Sequence, residues 1–449
     1  MKKQVVIIGG GISGLTLLHQ LKKKFVGRQD LQFLLLEKGH EVGGPIQTRR
    51  LAESLVEAGP NGFLDSKSAM VELIKDLGLE SELIQADPAA KLRFVRVGSS
   101  LHAFPENPWA LLRFAPLTIT ARLRIFCEFF IRKGANEEET VYEFGERRFG
   151  QGFAEYFLDP MVSGIFAGDA KELCLKSAFP DIYAMEQQHG SLFKAFIALK
   201  RKQEKNRKGT LCSLKQGMGQ LIETLDARYQ HNIQKTTEVL GVHRSGEGYV
   251  VETIANKYFA DHVFVSTPAA SSAKILQTLD PNFADLLNRV PYASIVVVAM
   301  VFQKKDFGQE PKGFGYLVPG CENSPVLGAL FSSNIFPNRC RQDQSLVQVM
   351  LGGQRHPNVL NLTDEELKGV AFDQLTELFQ VNASPKTFAI FRWPKAIPQY
   401  LRGHEKRCRA IKELLSQFPG LDIVANFWGG IGVNDCVQNA KLKVENLKL

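Results

Sequence analysis

The chain opens with a short apolar strand that runs directly into a glycine-rich turn. Residues 5–8 are Val-Val-Ile-Ile, which is typical of a strand buried on both faces of a parallel sheet. Gly9, Gly11 and Gly14 follow with G-x-G-x-x-G spacing. The first glycine permits a tight turn, the second lets the backbone approach a pyrophosphate, and the third lets the next helix pack on the strand. These residues predict a dinucleotide-binding βαβ unit.

The residues after the turn support this interpretation and favour FAD over NAD. Glycine is common here, with 38 in 449 residues, so the flanking strands and helix must carry the prediction. A second strand at 32–36 ends on Glu37, which is placed to accept hydrogen bonds from ribose hydroxyls. Glycines at 43–44 and the run at 57–62 then place exposed backbone where a longer ligand continues.

Composition excludes several classes of function. The 55 basic and 47 acidic residues give a net charge of +8, and no zinc-finger spacing or aromatic-rich RNA motif is present, so nucleic acid is not an expected partner. The seven cysteines are scattered and never form C-x-x-C, which predicts reduced thiols and a cytoplasmic location. The nine histidines show no metal-ligand spacing, so no metal site is predicted.

Contact with a membrane is predicted to be peripheral if it occurs at all. The apolar run at 5–8 is too short for a cleavable signal, and the sequence contains no run of 18 apolar residues that could span a bilayer. Residues 109–131 are rich in aromatic and aliphatic side chains interrupted by arginines. They fit an interfacial segment at the inner face of the cytoplasmic membrane or a pair of core helices. The charge run at 200–209 is interpreted as a solvated loop.

The order of segments predicts an α/β fold with three domains. Residues 1–90, 209–285 and 416–449 are expected to form a discontinuous, Rossmann-like FAD-binding domain. Residues 91–208 are expected to form a mainly helical insertion, and residues 286–415 an α+β substrate-binding domain.

The C-terminal residues are predicted to return to the first domain. Residues 422–428 are strand-like, residues 429–432 turn, and Asn434 or Asp435 is expected to cap a helix that runs toward Lys443. The N-terminus of this helix, aimed at the flavin ring, would stabilise the negative charge of the reduced ring. An ordinary capped terminal helix is the alternative.

Four stretches of the chain look like the motifs of one family, in that family's order. They are 163–169 with Leu173, 313–319, 396–400, and 430–436. With the N-terminal turn, they resemble the oxygen-dependent protoporphyrinogen and coproporphyrinogen oxidases, which belong to the flavin amine oxidase superfamily. The resemblance spans nearly the whole chain.

The resemblance implies particular contacts with FAD and with substrate. The implied FAD contacts are Gly9, Gly10, Gly11, Ile12, Ser13, Gly14, Glu37, Lys38, Gly59, Pro60, Asn61, Gly62, Val239, Asn426, Ile431, Gly432 and Val433. Arg93 matches the arginine that binds a porphyrinogen propionate, Phe314 and Leu317 match apolar residues that hold the macrocycle, and Gly164 matches a glycine close to the ring. Solvent exposure of Arg93 and core packing of Phe314 and Leu317 are the alternatives.

Two positions depart from the pattern of the relatives. Pro45 follows the second glycine pair, where many superfamily members have arginine, so any flavin contact made by that arginine is missing. Ser163 stands where some relatives carry a larger basic residue, which puts any role of that charge in doubt.

The predicted activity is flavin-based oxidation of a porphyrinogen to the porphyrin in heme biosynthesis, with O2 consumed and H2O2 released. No side chain is assigned as a catalytic acid or base, because the cofactor supplies the difficult step. Two alternatives remain: another superfamily oxidase that acts on a polyamine or carotenoid, or a porphyrin or flavin carrier without turnover. The choice between protoporphyrinogen and coproporphyrinogen, the enzyme that receives the product, and the formation of a homodimer stay open.

Overall fold

Strands and helices alternate along residues 2–105, 108–111, 113–201 and 209–449, which the computed structural model describes. The strands are β1 (Lys3–Ile8), β2 (Leu31–Leu36), β3 (Thr48–Leu51), β4 (Ser54–Glu57), β5 (Phe63–Leu64), β6 (Leu83–Gln85), β7 (Arg93–Val97), β8 (Ser100–Ala103), β9 (Leu211–Leu214), β10 (Ile233–Gln234), β11 (Val239–Ser245), β12 (Gly248–Thr253), β13 (Lys257–Ala260), β14 (His262–Val265), β15 (Tyr292–Gln303), β16 (Gly315–Leu317), β17 (Val326–Phe331), β18 (Gln344–Gly352), β19 (Thr387–Pro398) and β20 (Leu421–Ile423). The helices are α1 (Ile12–Lys24), α2 (Ser68–Asp76), α3 (Pro108–Leu111), α4 (Ile119–Phe126), α5 (Val141–Phe149), α6 (Gln151–Phe153), α7 (Asp159–Phe166), α8 (Leu175–Ala178), α9 (Pro180–His189), α10 (Leu192–Arg201), α11 (Gly219–Tyr229), α12 (Ala269–Leu276), α13 (Pro281–Asn288), α14 (Ser332–Ile335), α15 (Asp364–Phe379), α16 (His404–Leu415) and α17 (Val433–Glu445).

A parallel five-stranded sheet, in the order β10-β2-β1-β14-β20, carries the glycine-rich turn. The central strand β1 alternates between two apolar layers. Val5 and Ile7 pack against α1, α11 and α17, whereas Val6 and Ile8 pack against α12 and the antiparallel sheet β11-β12-β13. Burial on both faces explains why this strand is apolar at every inner position. The Rossmann-like fold predicted from the sequence is confirmed.

The second large sheet has seven strands, in the order β19-β15-β18-β17-β16-β7-β8. β15, β17, β18 and β19 pair in antiparallel fashion, whereas β7 pairs in parallel with β16. Residues 91–208 therefore begin with two strands of this sheet before their helices start. α15 covers one face of the sheet through Leu367, Ala371 and Leu375. The domain boundaries given above stay a prediction.

The helices α4–α10 surround an aromatic core, and a buried charge cluster ties them together. Arg148 and Glu128 are fully buried and form an ion pair at 3.0 Å. Arg148 also contacts Glu186, at 2.5 Å, and the carbonyl oxygens of Ile131 and Gly190. Leu112 and residues 202–208, which belong to the proposed interfacial segment and to the charge run, lie outside the described residues.

The C-terminal segment differs from the sequence prediction in two details. The strand is shorter than 422–428, because β20 ends at Ile423 and the chain then turns, with the Trp428 N–H donating to the Ala425 carbonyl. The prediction that Asn434 or Asp435 caps α17 is wrong, because Gly432 takes the extended N-cap conformation. Asp435 lies in the first turn instead, where its carboxylate accepts the Gly432 N–H at 3.0 Å.

Candidate active site

A cavity of about 340 Å³ opens at the carboxyl ends of the parallel strands. Open α/β sheets bind ligands at this edge, and the volume is in the range of small-molecule sites. Of the cofactor residues predicted from the sequence, the cavity wall contains Gly9, Gly11, Ile12, Ser13, Glu37, Lys38, Pro60, Val239, Asn426, Ile431 and Val433. The remaining predicted residues, Gly10, Gly14, Gly59, Asn61, Gly62 and Gly432, are not part of that wall.

The glycine-rich turn is shaped to receive a phosphate group. Gly9 has φ +104°, and a Cβ there would lie 2.7 Å from the Ser266 carbonyl oxygen. A Cβ on Gly14 would lie 2.0 Å from the Gly9 carbonyl oxygen, so this glycine is required for packing. Gly11 is the N-cap residue of α1, with no capping side chain and open space where its Cβ would be. The first N–H groups of α1 are thus directed to the cavity, as anion binding requires.

Glu37 holds the glycine turn from the end of β2. One carboxylate oxygen accepts the Gly10 N–H at 2.7 Å, and the other accepts the Gly39 N–H at 2.7 Å. Each oxygen keeps a second acceptor position, and the side chain lines the cavity. Glu37 is therefore placed to accept ribose hydroxyls while it fixes the turn that faces the phosphates.

We expect Glu37→Gln to weaken FAD binding by about 1 kcal/mol. The glutamine amide is uncharged and has one acceptor oxygen, whereas the glutamate carboxylate is charged and has two. Titration of the flavin-free protein with FAD, followed by flavin fluorescence, measures this difference. Glu41→Gln is the matched control, because Glu41 is exposed and pairs with Arg49 outside the cavity. Equal FAD affinity for Glu37→Gln and the unmodified protein would contradict this role.

Two tyrosines hold the opposite end of the cavity, before α17. The Tyr400 hydroxyl donates to the Asn426 carbonyl at 2.6 Å and accepts the Gly430 N–H at 3.2 Å. The Tyr292 hydroxyl lies 3.4 Å from the Asn426 side-chain oxygen. Burial raises the pKa of both tyrosines, so both stay protonated as donors. The His404 ring stacks on the Tyr400 ring, with the ring centres 4.2 Å apart. Burial lowers the pKa of His404 to about 4.

Sequence reasoning gave no role to these tyrosines, although Tyr400 lies in the stretch 396–400, and it gave none to the polar residues that follow β14. The cavity wall includes Ser266, Thr267, Ser271 and Lys274. The rule that ligands bind beyond the carboxyl ends of parallel strands could have identified the turn after β14. Pro45 also lines the wall, at the position of the missing arginine.

The four predicted substrate residues come together in two contacts. The Arg93 guanidinium lies 4.7 Å from the centre of the Phe314 ring. Gly164, on α7, lies against Leu317, because a Cβ on this glycine would meet a Leu317 methyl at 2.8 Å. The parallel pairing of β7 with β16 sets Arg93 opposite Gly315, two residues from Leu317 on the same face of the sheet. Arg93 and Leu317 thus lie on one face of the sheet, and the Phe314 ring beside Arg93 also packs against Ile335 and Phe336.

The cavity and this sheet share one segment of backbone. The Trp393 indole N–H donates to the Ala58 carbonyl at 2.7 Å, and the Gln348 amide donates to the Glu57 carbonyl at 2.7 Å. Both side chains come from the seven-stranded sheet, and Pro60, two residues after Ala58, lines the cavity. Residues 57–60 therefore connect the seven-stranded sheet to the wall of the cavity.

Comparison with known proteins agrees with the nucleotide-binding cavity described above. Residues 12–447 match the family of flavin containing amine oxidoreductases. The chain belongs to this family. The match confirms the prediction of a flavin enzyme with FAD as its cofactor, and the uncapped N-terminus of α1 and the adjacent cavity fit that group.

Two relatives match nearly the full length of this flavin amine oxidoreductase. A protein described as coproporphyrinogen III oxidase, from Bacillus subtilis, is 28% identical over 466 residues, covering 99% of this chain and 98% of its own. A protein described as protoporphyrinogen oxidase, from Homo sapiens, is 29% identical over 484 residues, covering 98% and 97%.

Solved structures share the fold at lower sequence identity. A protein from Exiguobacterium sp. 255-15 superposes with a TM-score of 0.85 at 24% identity, covering 99% of this chain and 98% of its own. A reduced UDP-galactopyranose mutase superposes with a TM-score of 0.74 at 12% identity, covering 99% and 93%. At these identities the structures establish the common fold alone.

Proposed function

We propose that this flavoenzyme oxidises a porphyrinogen, either coproporphyrinogen III or protoporphyrinogen IX, to the porphyrin in heme biosynthesis. The full-length relatives described as coproporphyrinogen III oxidase and protoporphyrinogen oxidase support this substrate class. The observation that carries the proposal is the Arg93–Phe314 pair beside Leu317 and Gly164. A flat apolar ring with carboxylate arms requires an apolar wall with a cation at its edge.

The residues of the chain bind and orient the substrate in this proposal. Arg93 binds a propionate, and Phe314 and Leu317 form the wall against which the macrocycle lies. Gly164 lets α7 pack directly against Leu317, because a Cβ there would lie 2.8 Å from a Leu317 methyl group. FAD, held by the glycine-rich turn, Glu37 and the N-terminus of α1, would supply a two-electron acceptor for the substrate, with O2 as the final oxidant that is reduced to H2O2. Conversion of a porphyrinogen to a porphyrin removes six hydrogens, so three O2 are consumed and three H2O2 are released.

The deciding experiment incubates the purified holoenzyme with each porphyrinogen and follows porphyrin fluorescence and O2 uptake together. We expect both signals to rise with at least one porphyrinogen, at one O2 for each pair of hydrogens removed. Porphyrin binding without O2 uptake would identify a carrier. Peroxide formation from a polyamine, or oxidation of a carotenoid, with no porphyrin formed would overturn the proposal.

We propose peripheral contact with an anionic lipid surface as a second property of the chain. Exposed apolar side chains gather on α4, the turn after it and α10: Ile119, Leu123, Phe129, Phe130, Phe196 and Ile197. Lys194 lies 4.5 Å from the Phe129 ring centre. Aromatic side chains beside basic residues favour an anionic bilayer interface. In the described residues, no helix is both long enough and apolar enough to cross a bilayer.

We expect the protein to sediment with anionic liposomes and to be released by high salt. Phe130→Asp should lower the bound fraction about tenfold, because it removes an 81% exposed apolar ring and adds a repelling charge. Ile254→Asp is the control, because Ile254 is 79% exposed in the turn after β12, outside the helical segment. Equal sedimentation of all three proteins would contradict the proposed surface.

The formation of a homodimer stays a prediction.

A further inference from the structure

We propose that Arg355 is a positioning residue that sets the spacing between α7 and β16, and thereby the fit of the substrate wall. It follows β18, in the turn beyond Gly352. Its guanidinium reaches two carboxylates that flank α7: Asp159 at the start of the helix and Asp169 just beyond its end. The inference rests on the proposed function for the identity of the substrate.

The two carboxylates fix both ends of a short helix. The Arg355 Nε lies 3.2 Å from an Asp169 oxygen, and its Nη2 contacts Asp159. The second Asp159 oxygen accepts the Gly320 N–H at 2.7 Å. Gly320 lies three residues after Leu317. Asp159 therefore connects the arginine, the first turn of α7 and the chain that leaves β16.

The backbone next to Arg355 reinforces this arrangement. The Gln354 N–H donates to the Ala167 carbonyl at 2.8 Å, and the Gly353 N–H donates to the Ser294 carbonyl at 2.8 Å. Ala167 ends α7 in a left-handed conformation, with φ 49° and ψ 30°. An alanine in this conformation is uncommon and requires support from its surroundings. The turn that carries Arg355 supplies that support.

α7 lies between the substrate wall and the flavin cavity. Gly164, on one side of the helix, is in contact with Leu317. The Phe166 ring packs edge-on against Tyr400, with ring centres 5.7 Å apart, and Tyr400 holds the cavity residue Asn426. A shift of α7 would therefore alter the substrate wall and the distance from it to the flavin. Side chains remote from the reacting atoms affect rate in this way when they set orientation.

Burial makes the charge balance of this cluster sensitive to pH. Asp159 is 7% exposed and Arg355 is 19% exposed. Burial raises the pKa of Asp159, and Arg355 opposes this effect. The other titratable and charged groups around this pair are Tyr142, Glu146, Glu155, Tyr156, Asp169, Lys171, Cys321 and Glu322. Their carboxylates add negative charge, so removal of Arg355 would favour protonation of Asp159 further.

The test compares Arg355→Gln with the double variant Arg355→Gln/Asp159→Asn, using porphyrinogen oxidation between pH 6 and pH 9. At pH 9 we expect Arg355→Gln to lower kcat/KM about tenfold or more, mainly through KM, with full FAD content. As the pH falls toward 6, protonation of Asp159 should make this loss smaller, because the raised pKa favours the uncharged carboxyl group. The double variant should remove this pH dependence, because the asparagine side chain carries no charge and its carbonyl oxygen still accepts the Gly320 N–H.

Two further measurements keep the outcomes distinct. The melting temperature of Arg355→Gln should fall as pH rises, since a raised carboxyl pKa in the folded state stabilises it only while the proton is bound. Binding of the product porphyrin, followed by flavin fluorescence, tests the wall without turnover. Kinetics and porphyrin binding equal to the unmodified enzyme at every pH, with a lower melting temperature, would overturn the positioning role. Failure of the unmodified enzyme to oxidise any porphyrinogen, with altered porphyrin binding in Arg355→Gln, would overturn the proposed function alone.

Discussion

Replacement of Arg148 by alanine is expected to destabilise the helical segment by about 3–5 kcal/mol, because it leaves the buried Glu128 carboxylate without its cation, whereas Glu186 keeps Arg147 at 2.9 Å. Arg148 and Glu128 have no exposed side-chain surface, and Glu186 is 1% exposed. The Glu128 carboxylate also accepts the Leu192 N–H at 2.8 Å and the Ser191 hydroxyl at 2.6 Å, at the start of α10. Loss of the arginine therefore affects the junction of α5, α9 and α10.

Urea unfolding and limited proteolysis of the segment would measure this loss. Arg28→Ala is the control, because Arg28 forms an exposed pair with Asp30 and its removal should leave unfolding unchanged. The double variant Glu128→Gln/Arg148→Met should recover part of the lost stability, since it no longer buries an unpaired Glu128 charge. Unfolding of Arg148→Ala that matches the control would show that the cluster does not hold these helices together.

Replacement of Arg93 by alanine is expected to lower kcat/KM for the porphyrinogen about 10-fold to 100-fold, with FAD content unchanged. A charge-assisted hydrogen bond to a carboxylate contributes roughly 1.5–3 kcal/mol, which corresponds to this range. Lysine at this position should restore only part of the activity, because it keeps the charge and loses the planar fork that binds a carboxylate with two hydrogen bonds. Steady-state rates with both porphyrinogens measure the effect.

The same strand offers a matched control. Arg96 lies three residues along β7, so its side chain points to the opposite face of the sheet, where it pairs with Glu377 at 2.9 Å. Arg96→Ala should therefore leave kcat/KM close to that of the unmodified enzyme. Equal rates for Arg93→Ala and Arg96→Ala with both substrates would remove Arg93 from the proposed site.

The nucleotide-binding half of the molecule was predictable because its determinants are local in sequence. The apolar strand, the glycine spacing and Glu37 lie within 33 residues, from Val5 to Glu37. Gly14 must be glycine because its own turn carbonyl, that of Gly9, occupies the space of a Cβ. The cap of α17 was mispredicted because a glycine N-cap has no side chain that would indicate it in the sequence. Asn434 and Asp435, by contrast, are residue types that commonly cap helices.

By itself, the sequence determined the parallel sheet and the phosphate-binding turn and favoured FAD as the cofactor, since each depends on periodicity or on spacing along a short stretch. Only the tertiary structure decided which distant residues meet. It brought Arg93 to Phe314, separated by 221 residues, and Arg355 to Asp159 and Asp169 at the two ends of one helix. Such contacts depend on strand order and helix docking, and no short-range pattern encodes either one.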